Sequence, residues 1–443
     1  MNFATNNISR ATQFCLYLLI ALIPFSVRMV IDTSWNYQTG AYSDFTSLSI
    51  YLSDLVLLML IGFTWNMKRQ SPISRTWKLL SIAAVSWLIL ELLIQPRTNL
   101  PLQFYFAVRI ALLILFAAGI SKINVSREKL AWLFIILGSM QSIIAGIQFT
   151  NQKSIGLYIL GESHLSPDIL GVAKIVSHGT KLIRGYGTFP HPNLLAAFLV
   201  VSFGFNIYLL AKSYQSPHGG FSPRGIWLHL ALFLNIFGIF LSFSRAGMIA
   251  LGISALIWGA SFMWNKQKGL FIRILPAILI SIALSVAILG TFLATRGTIS
   301  DSATKERVLY NKIGVKIVED KPVFGTGPGQ SVLHMKQYSP VALEPWEIQP
   351  VHNYYLILAA EWGIGGIILL LLIILPVFTL FKLNLGFWNF TLMASGASIL
   401  ILFAFDHYFY TIWPTQLLLW TIVGLSLGGA SHETIYDTSS PRE

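Results

Sequence analysis

The sequence predicts an all-α, polytopic membrane protein with about twelve transmembrane helices. Three observations lead there. Of its 443 residues, 55% are hydrophobic and 11% charged, with a mean hydropathy of +0.67; a soluble domain carries roughly 25% charged residues. The apolar residues fall in runs of about 17–25, the length that crosses a bilayer core. Short basic loops separate many of those runs.

Taken in order, the runs centre on residues 12–31, 48–66, 79–95, 102–121, 130–149, 192–211, 226–243, 246–264, 270–294, 355–381, 390–405 and 413–430. No small-residue cleavage site follows the first run, Phe14 to Ile31, so it reads as a retained helix, not a signal peptide. The chain divides accordingly: residues 1–150 hold helices one to five, 151–190 a first long outer loop, and 191–295 helices six to nine. Residues 296–351 form a second long outer loop, 352–430 the last three helices, and 431–443 a short tail.

Orientation follows from the short loops. Lys68, Arg69, Arg75 and Lys78 share one loop, and Lys122, Arg127 and Lys129 the next on that side. Lys212 with Arg224, Lys266 with Lys268, and Lys382 continue the series, opposed only by Glu128. The positive-inside rule puts these loops and both termini in the cytoplasm. The two long loops then lie outside. Both are basic, and a basic outer surface suits an anionic headgroup. The net charge of +12 reports topology and anionic membrane lipid, not nucleic acid, because no basic-aromatic binding pattern is present. Cys15 is the sole cysteine, which excludes an internal disulfide or a cysteine metal cluster.

The second outer loop contains an amphipathic helix from Thr304 to Glu319. Val308, Leu309, Ile313, Val315, Ile317 and Val318 supply its apolar positions. Asp320-Lys321-Pro322 stops it, and Val323 to Gly329 is rich in turn residues.

The candidate functional residues sit at the outer ends of the runs. His352 stands where a long apolar run begins, and a neutral imidazole there is poised to abstract a proton near pH 7. An interfacial histidine bonded to backbone explains it equally well. Asn353 either caps the following helix or holds a sugar hydroxyl. Gly363 and Gly366 suit close packing or a bend. Glu361 pairs with an arginine or simply lies at the interface. Arg307 lies on the amphipathic helix; a guanidinium forks onto phosphate oxygens, although amphipathic helices carry surface arginines anyway. Arg184 opens the segment Arg184 to Asn193, in which Asn193 is a plausible helix N-cap whose helix end favours an anion. Its ordinary alternative is an interfacial arginine that snorkels to water. Arg245 joins two spans in a very short turn, as an anchor or facing a cavity. His191, between two prolines, suits a turn. Asp406 and His407 line the same cavity or merely mark the outer end of the eleventh span.

Several catalytic signatures are absent. The sequence has no Asp-x-Asp, no His-Glu-x-x-His, no Gly-x-Ser-x-Gly and no Walker lysine loop. Gly325 to Gly329 is turn chemistry, since no Lys-Ser/Thr follows it.

Taken together, these segments resemble the O-antigen ligase and O-antigen polymerase superfamily. His352-Asn353, nine residues, then Gly363 and Gly366 fit its His-Asn-x9-Gly-x-x-Gly pattern without a gap. Glu361 to Gly366 looks like its E-x-G-x-x-G ending, and Arg184 to Asn193 like its R-x-x-G-T-F-x-x-P-N segment. Ser242 to Arg245 looks like its S-x-S-R turn. Arg307 followed by Pro322 and Gly325-Thr326-Gly327 is similar to its arginine helix leading to P-x-x-G-x-G. The resemblance runs from about Arg184 to Leu427. Tryptophan before Gly363 departs from it.

The resemblance implies a GT-C-like membrane glycosyltransferase of the bacterial inner membrane, with its site on the periplasmic face. The donor is a glycan on undecaprenyl diphosphate, the acceptor a hydroxyl of lipid A core or another glycan. Transfer inverts the linkage and needs no metal or other cofactor. His352 is then the base, Arg184 and Arg307 hold the diphosphate, and Arg245 supports the cavity. A polymerase of the same lipid-linked repeats is the alternative within the fold. A transporter or flippase, and a non-catalytic partner of a glycan-assembly complex, are alternatives of other classes.

Overall fold

The computed structural model describes residues 2–67, 73–96, 99–216, 222–298, 302–382 and 386–428. Lys68, Arg69 and the tail at 431–443 lie outside the described residues.

The chain is predominantly helical, as a bilayer requires of backbone that must satisfy its own hydrogen bonds. Its helices in order are α1 (Asn2–Leu22), α2 (Leu52–Trp65), α3 (Arg75–Ile94), α4 (Leu100–Ile120) and α5 (Arg127–Asn151). There follow α6 (Pro192–Gln215), α7 (Pro223–Leu241), α8 (Arg245–Trp264) and α9 (Lys268–Thr298). The second long loop contributes α10 (Ser302–Asp320) and α11 (Ser331–Tyr338). The C-terminal part holds α12 (Tyr354–Trp362), α13 (Gly365–Thr379), α14 (Phe387–Phe403), α15 (Tyr408–Thr411) and α16 (Trp413–Gly428). Among the described residues, seven helices, α3 to α9, are long and apolar enough to cross a membrane. Shorter apolar helices include α2, α13 and α14.

Three local expectations need correction. The run 12–31 is not one helix: α1 stops at Leu22. Pro24 cannot continue a helical hydrogen-bond ladder. Arg28–Ile31, ending in the β-branched Val30 and Ile31, forms strand β1, which pairs antiparallel with β2 (Leu48–Tyr51). A second hairpin, β3 (Lys174–Ser177) with β4 (Thr180–Ile183), lies in the first long loop, so the chain is not purely α. The run 355–381 is broken into α12 and α13 at Gly363, where φ is +51°. The break is docked from outside: Ile364 N–H donates to Val323 O at 3.0 Å, and Thr326 and Gly327 N–H donate to Ala360 O and Glu361 O at 2.9 Å. A Cβ on Gly363 would lie 2.2 Å from the Val323 carbonyl oxygen, so only glycine admits that approach.

The core is built around α6, buried along most of its length among α5, α7, α8 and α14. Small residues let these helices close up; a Cβ on Gly138 of α5 would meet Ser202 Oγ at 2.5 Å. Arg109, a charge within α4, is neutralised. Its Nη2 donates to Asp54 Oδ2 at 2.9 Å and to Ser49 O at 2.6 Å, with the guanidinium over the Trp413 ring.

At one end of the bundle α10 and α11 pack on α12. Tyr310, Ile313 and Ile317 of α10 join Val332, Met335, Ile348 and Ala360 in a second apolar cluster. The amphipathic helix is therefore where the sequence puts it. Its inner face is Tyr310, Ile313 and Ile317, whereas Val308 and Val315 are half-exposed.

Candidate active site

The site is assembled where four chain segments meet: the start of α6, α10, the residue before α12, and the short link from α14 to α15. Each local structure follows from its residues.

Pro192 starts α6, because its missing N–H costs nothing at the first helical position. The cap is therefore the residue before it: His191 Nδ1 accepts from Asn193 N–H at 3.2 Å. This corrects the expectation that Asn193 is the cap. Freed from capping, the Asn193 side chain becomes a bridge. Its Oδ1 accepts from Arg184 Nη2 at 2.7 Å and its Nδ2 donates to Asp406 Oδ2 at 2.9 Å. A ring nitrogen that accepts from backbone carries no proton. Burial, with Arg184 nearby, also holds His191 well below the ordinary histidine range.

Asn353 caps α12, its Oδ1 accepting from Leu356 N–H at 3.1 Å. The cap's extended backbone places His352 just outside the helix. His352 Nδ1 lies 3.2 Å from Asp406 Oδ1, and both side chains are largely shielded, at 13% and 9% exposure. Asp406 Oδ1 also accepts from His407 N–H at 3.0 Å. Burial alone would raise the Asp406 carboxyl. The His352 hydrogen bond and the charges of His352, His407 and His191 outweigh that, holding it well below the usual carboxylate range. An ionised Asp406 takes the Nδ1–H of His352, which leaves the lone pair on Nε2.

His407 packs 4.9 Å from His352, ring to ring, and its Nδ1 lies 2.7 Å from Thr411 Oγ1. Burial and the neighbouring His352 push it down to about 3, so it is neutral at pH 7. Tyr310 closes another side, its ring 5.5 Å from that of His352. Arg307, one turn before Tyr310 on the same helix face, is partly exposed. Its charge acts on His407 and Tyr408. Among the described residues Arg307 makes no hydrogen bond or ion pair.

The remaining candidates take other positions. Arg184 is buried, with Nε donating to Ser242 O at 2.6 Å as well as Nη2 to Asn193. It reaches His352 through Asn193 and Asp406. Arg245 is exposed at the first residue of α8, three residues beyond Ser242. Glu361 is not at the centre. It is buried, accepting from Gly329 and Ser331 N–H, Ser331 Oγ–H and Tyr410 O–H, and so ties the turn before α11 to α15. Neither of the partners offered for it, arginine or interface, is what it meets. Gly363 and Gly366 make the packed break described above; a Cβ on Gly366 would meet Leu358 O at 2.9 Å.

The residues understated by the sequence reading are Asp406 and Asn193. Asp406 is an acid at the mouth of an apolar run next to His407, which is the one signal the sequence offers. Nothing in it shows that Asn193 would be freed from capping.

His352, Asp406 and His407 are also the only group of three described residues with metal-ligand geometry, their donor atoms lying within 4.8 Å of one another. Both Asp406 oxygens already accept N–H donors, which suits an acid–histidine pair as well as a cation. The arrangement can take a proton at His352 Nε2 and meet an anion at Arg307.

Residues 230–371 match the protein-family model described as O-Antigen ligase. That match supports placing the chain with the O-antigen ligase and polymerase superfamily. It includes Arg245, Arg307, His352, Asn353, Glu361, Gly363 and Gly366, whereas Arg184, His191, Asn193 and Asp406 lie outside it. No curated protein shows a significant match to the chain.

Proposed function

We propose that this protein is an O-antigen ligase-like glycosyltransferase. It moves a glycan from undecaprenyl diphosphate to a hydroxyl of lipid A core or a similar acceptor, on the outer face of the bacterial inner membrane. One observation carries the reading: His352 hydrogen-bonded through Nδ1 to a buried Asp406, with Arg307 alongside. The ligase-family match over 230–371 supports the reaction class.

In this scheme the acceptor hydroxyl attacks the anomeric carbon as the bond to the diphosphate oxygen breaks. The hydroxyl proton passes to His352 Nε2, and the electron pair of the broken bond leaves on undecaprenyl diphosphate. Attack opposite the leaving group inverts the linkage. Asp406 holds the imidazole and stabilises the imidazolium that forms. Arg307 meets the diphosphate, where negative charge grows in the transition state. Arg184 adds a fixed positive charge behind Asn193, and Arg245 widens the basic rim. Arginines take the part a divalent ion plays at other diphosphates, which makes the reaction metal-independent.

The test is transfer by the purified full chain, given lipid-linked glycan and a lipid A-core acceptor. Wild type transfers and His352→Ala does not, while both keep the same thermal midpoint. Transfer by the alanine variant would exclude His352 as the base. Chain growth from lipid-linked repeats alone, with no core acceptor, would replace ligase by polymerase.

A further inference from the structure

A second surface lies beside this centre, built from the β1–β2 segment, which lies outside the matched family region, and from residues around Trp346, which lie inside it. The segment between β1 and β2 falls between the first two apolar runs of the sequence. In the structure it is an ordered wall. Thr39 O accepts from Lys336 Nζ at 3.4 Å, and a Cβ on Gly40 would lie 3.2 Å from Pro345, so the segment rests against the large loop. Phe45, at its end, packs edge-on against His407 with ring centroids 5.4 Å apart. The wall is thus continuous with the His352 centre.

Its outward face carries aromatic rings. Tyr37, Tyr42 and Trp346 are 53%, 48% and 69% exposed, although burial is where such rings gain most. Tyr37 and Tyr42 stand edge to face, 5.9 Å apart, and Trp346 adjoins the Pro345 contact. Hydrogen-bonding groups lie among them in held positions. Asp44 Oδ1 accepts from Tyr42 O–H at 2.9 Å and from Arg28 at 2.7 Å, and Gln38 donates to Asn99 at 3.1 Å.

The local charge decides what these rings are for. Residues 34–47 contain one acid and no lysine or arginine, and residues 342–349 contain two acids and none. An aromatic face that settles on anionic lipid is flanked by basic residues free to meet headgroups; here the two basic neighbours, Arg28 and Lys336, are taken up by Asp44 and the Thr39 carbonyl. Exposed rings set among carboxylates and amides match a sugar instead. The C–H face of a pyranose packs on the electron-rich face of a ring, and its hydroxyls meet the polar groups at the edge.

We propose that the β1–β2 segment and Trp346 form a glycan-binding platform that holds sugar units remote from the reacting bond. The platform rests on the glycosyl-transfer reading for its purpose, but its binding can be measured without turnover. The probe is the soluble oligosaccharide freed by mild acid from the host's own surface glycan. Binding to the full chain in detergent is followed by saturation-transfer NMR and titration. Tyr37→Ala with Trp346→Ala should weaken binding by at least about fivefold, because each lost stack is worth a few-fold in affinity. Tyr37→Phe with Trp346→Phe keeps the ring faces and should bind as wild type does. Both positions are exposed, so folding is retained, and an unchanged thermal midpoint checks this. Equal saccharide binding by the alanine variant would overturn the proposal. Equal binding accompanied by a lipid-dependent loss of stability would assign the rings to the membrane interface instead. If His352→Ala still transfers glycan while saccharide binding depends on the rings, the catalytic reading fails and the platform stands.

Discussion

Asp406→Asn tests the centre with the least change in shape. The carboxylate accepts three N–H donors: His352 at 3.2 Å and His407 N–H at 3.0 Å on Oδ1, and Asn193 at 2.9 Å on Oδ2. An amide cannot satisfy all three. If its oxygen faces His352 and His407, its NH2 meets the NH2 of Asn193. Asn193 cannot turn to accept, because its oxygen already takes the Arg184 guanidinium. If the amide flips, its NH2 faces His352 Nδ1 and forces the ring proton onto Nε2, which abolishes the base. Either arrangement leaves one donor pair unmatched, at roughly 1–3 kcal/mol. The variant then lacks the charge that stabilises the imidazolium. General-base catalysis contributes about 10²–10⁴-fold. The 3.2 Å contact is long and its acceptor is shared, so the expected loss is the lower part of that range, about 10²–10³-fold in kcat. Single-turnover transfer from saturating lipid-linked donor isolates this step. A variant within threefold of wild type would refute Asp406 as the group that orients His352. The charge itself persists in acid. A lowered folded pKa means that the stability it contributes is present above about pH 4 and is lost as pH falls through the lower native value.

Three further outcomes are expected. Arg307→Ala should lower kcat/KM for the donor about 10²-fold, and Arg307→Lys about tenfold or less; equal activities would argue against bidentate diphosphate recognition. Transfer should survive a strong chelator, and loss on chelation with rescue by magnesium would reassign His352, Asp406 and His407 to a cation. Gly363→Ala puts a Cβ 2.2 Å from the Val323 carbonyl at φ +51° and should destabilise by about 2–4 kcal/mol; an unchanged thermal midpoint would contradict the docked break.

The sequence exposes those parts of this protein that depend on local pattern. Apolar runs located the long helices from α3 to α9, because a bilayer imposes both length and composition on each span. The periodicity of 304–319 located α10 for a similar reason. Continuous apolarity cannot distinguish helix from strand, so Arg28–Ile31 read as the end of a span. Nor does it reveal a break, which at Gly363 depends on a turn some forty residues earlier. In the site, His352 and Arg307 were legible from residue type and position. Asp406 was legible only as a weaker candidate and Asn193 only as a cap, since their pairing comes from contacts with residues 54 and 213 positions away. Glu361 shows the converse: a buried acid beside the motif that serves as a clamp and not at the centre.

The bridge from Arg184 through Asn193 to Asp406 has a consequence for biosynthesis. Its first member leaves the ribosome more than two hundred residues before its last. His352 is made in between, and acquires its acid partner only when α14 and α15 are in place beside α6. A chain halted after α13 would carry the imidazole and the arginines but no Asp406. The His352–Asp406 pair is therefore completed only after α14 has been made.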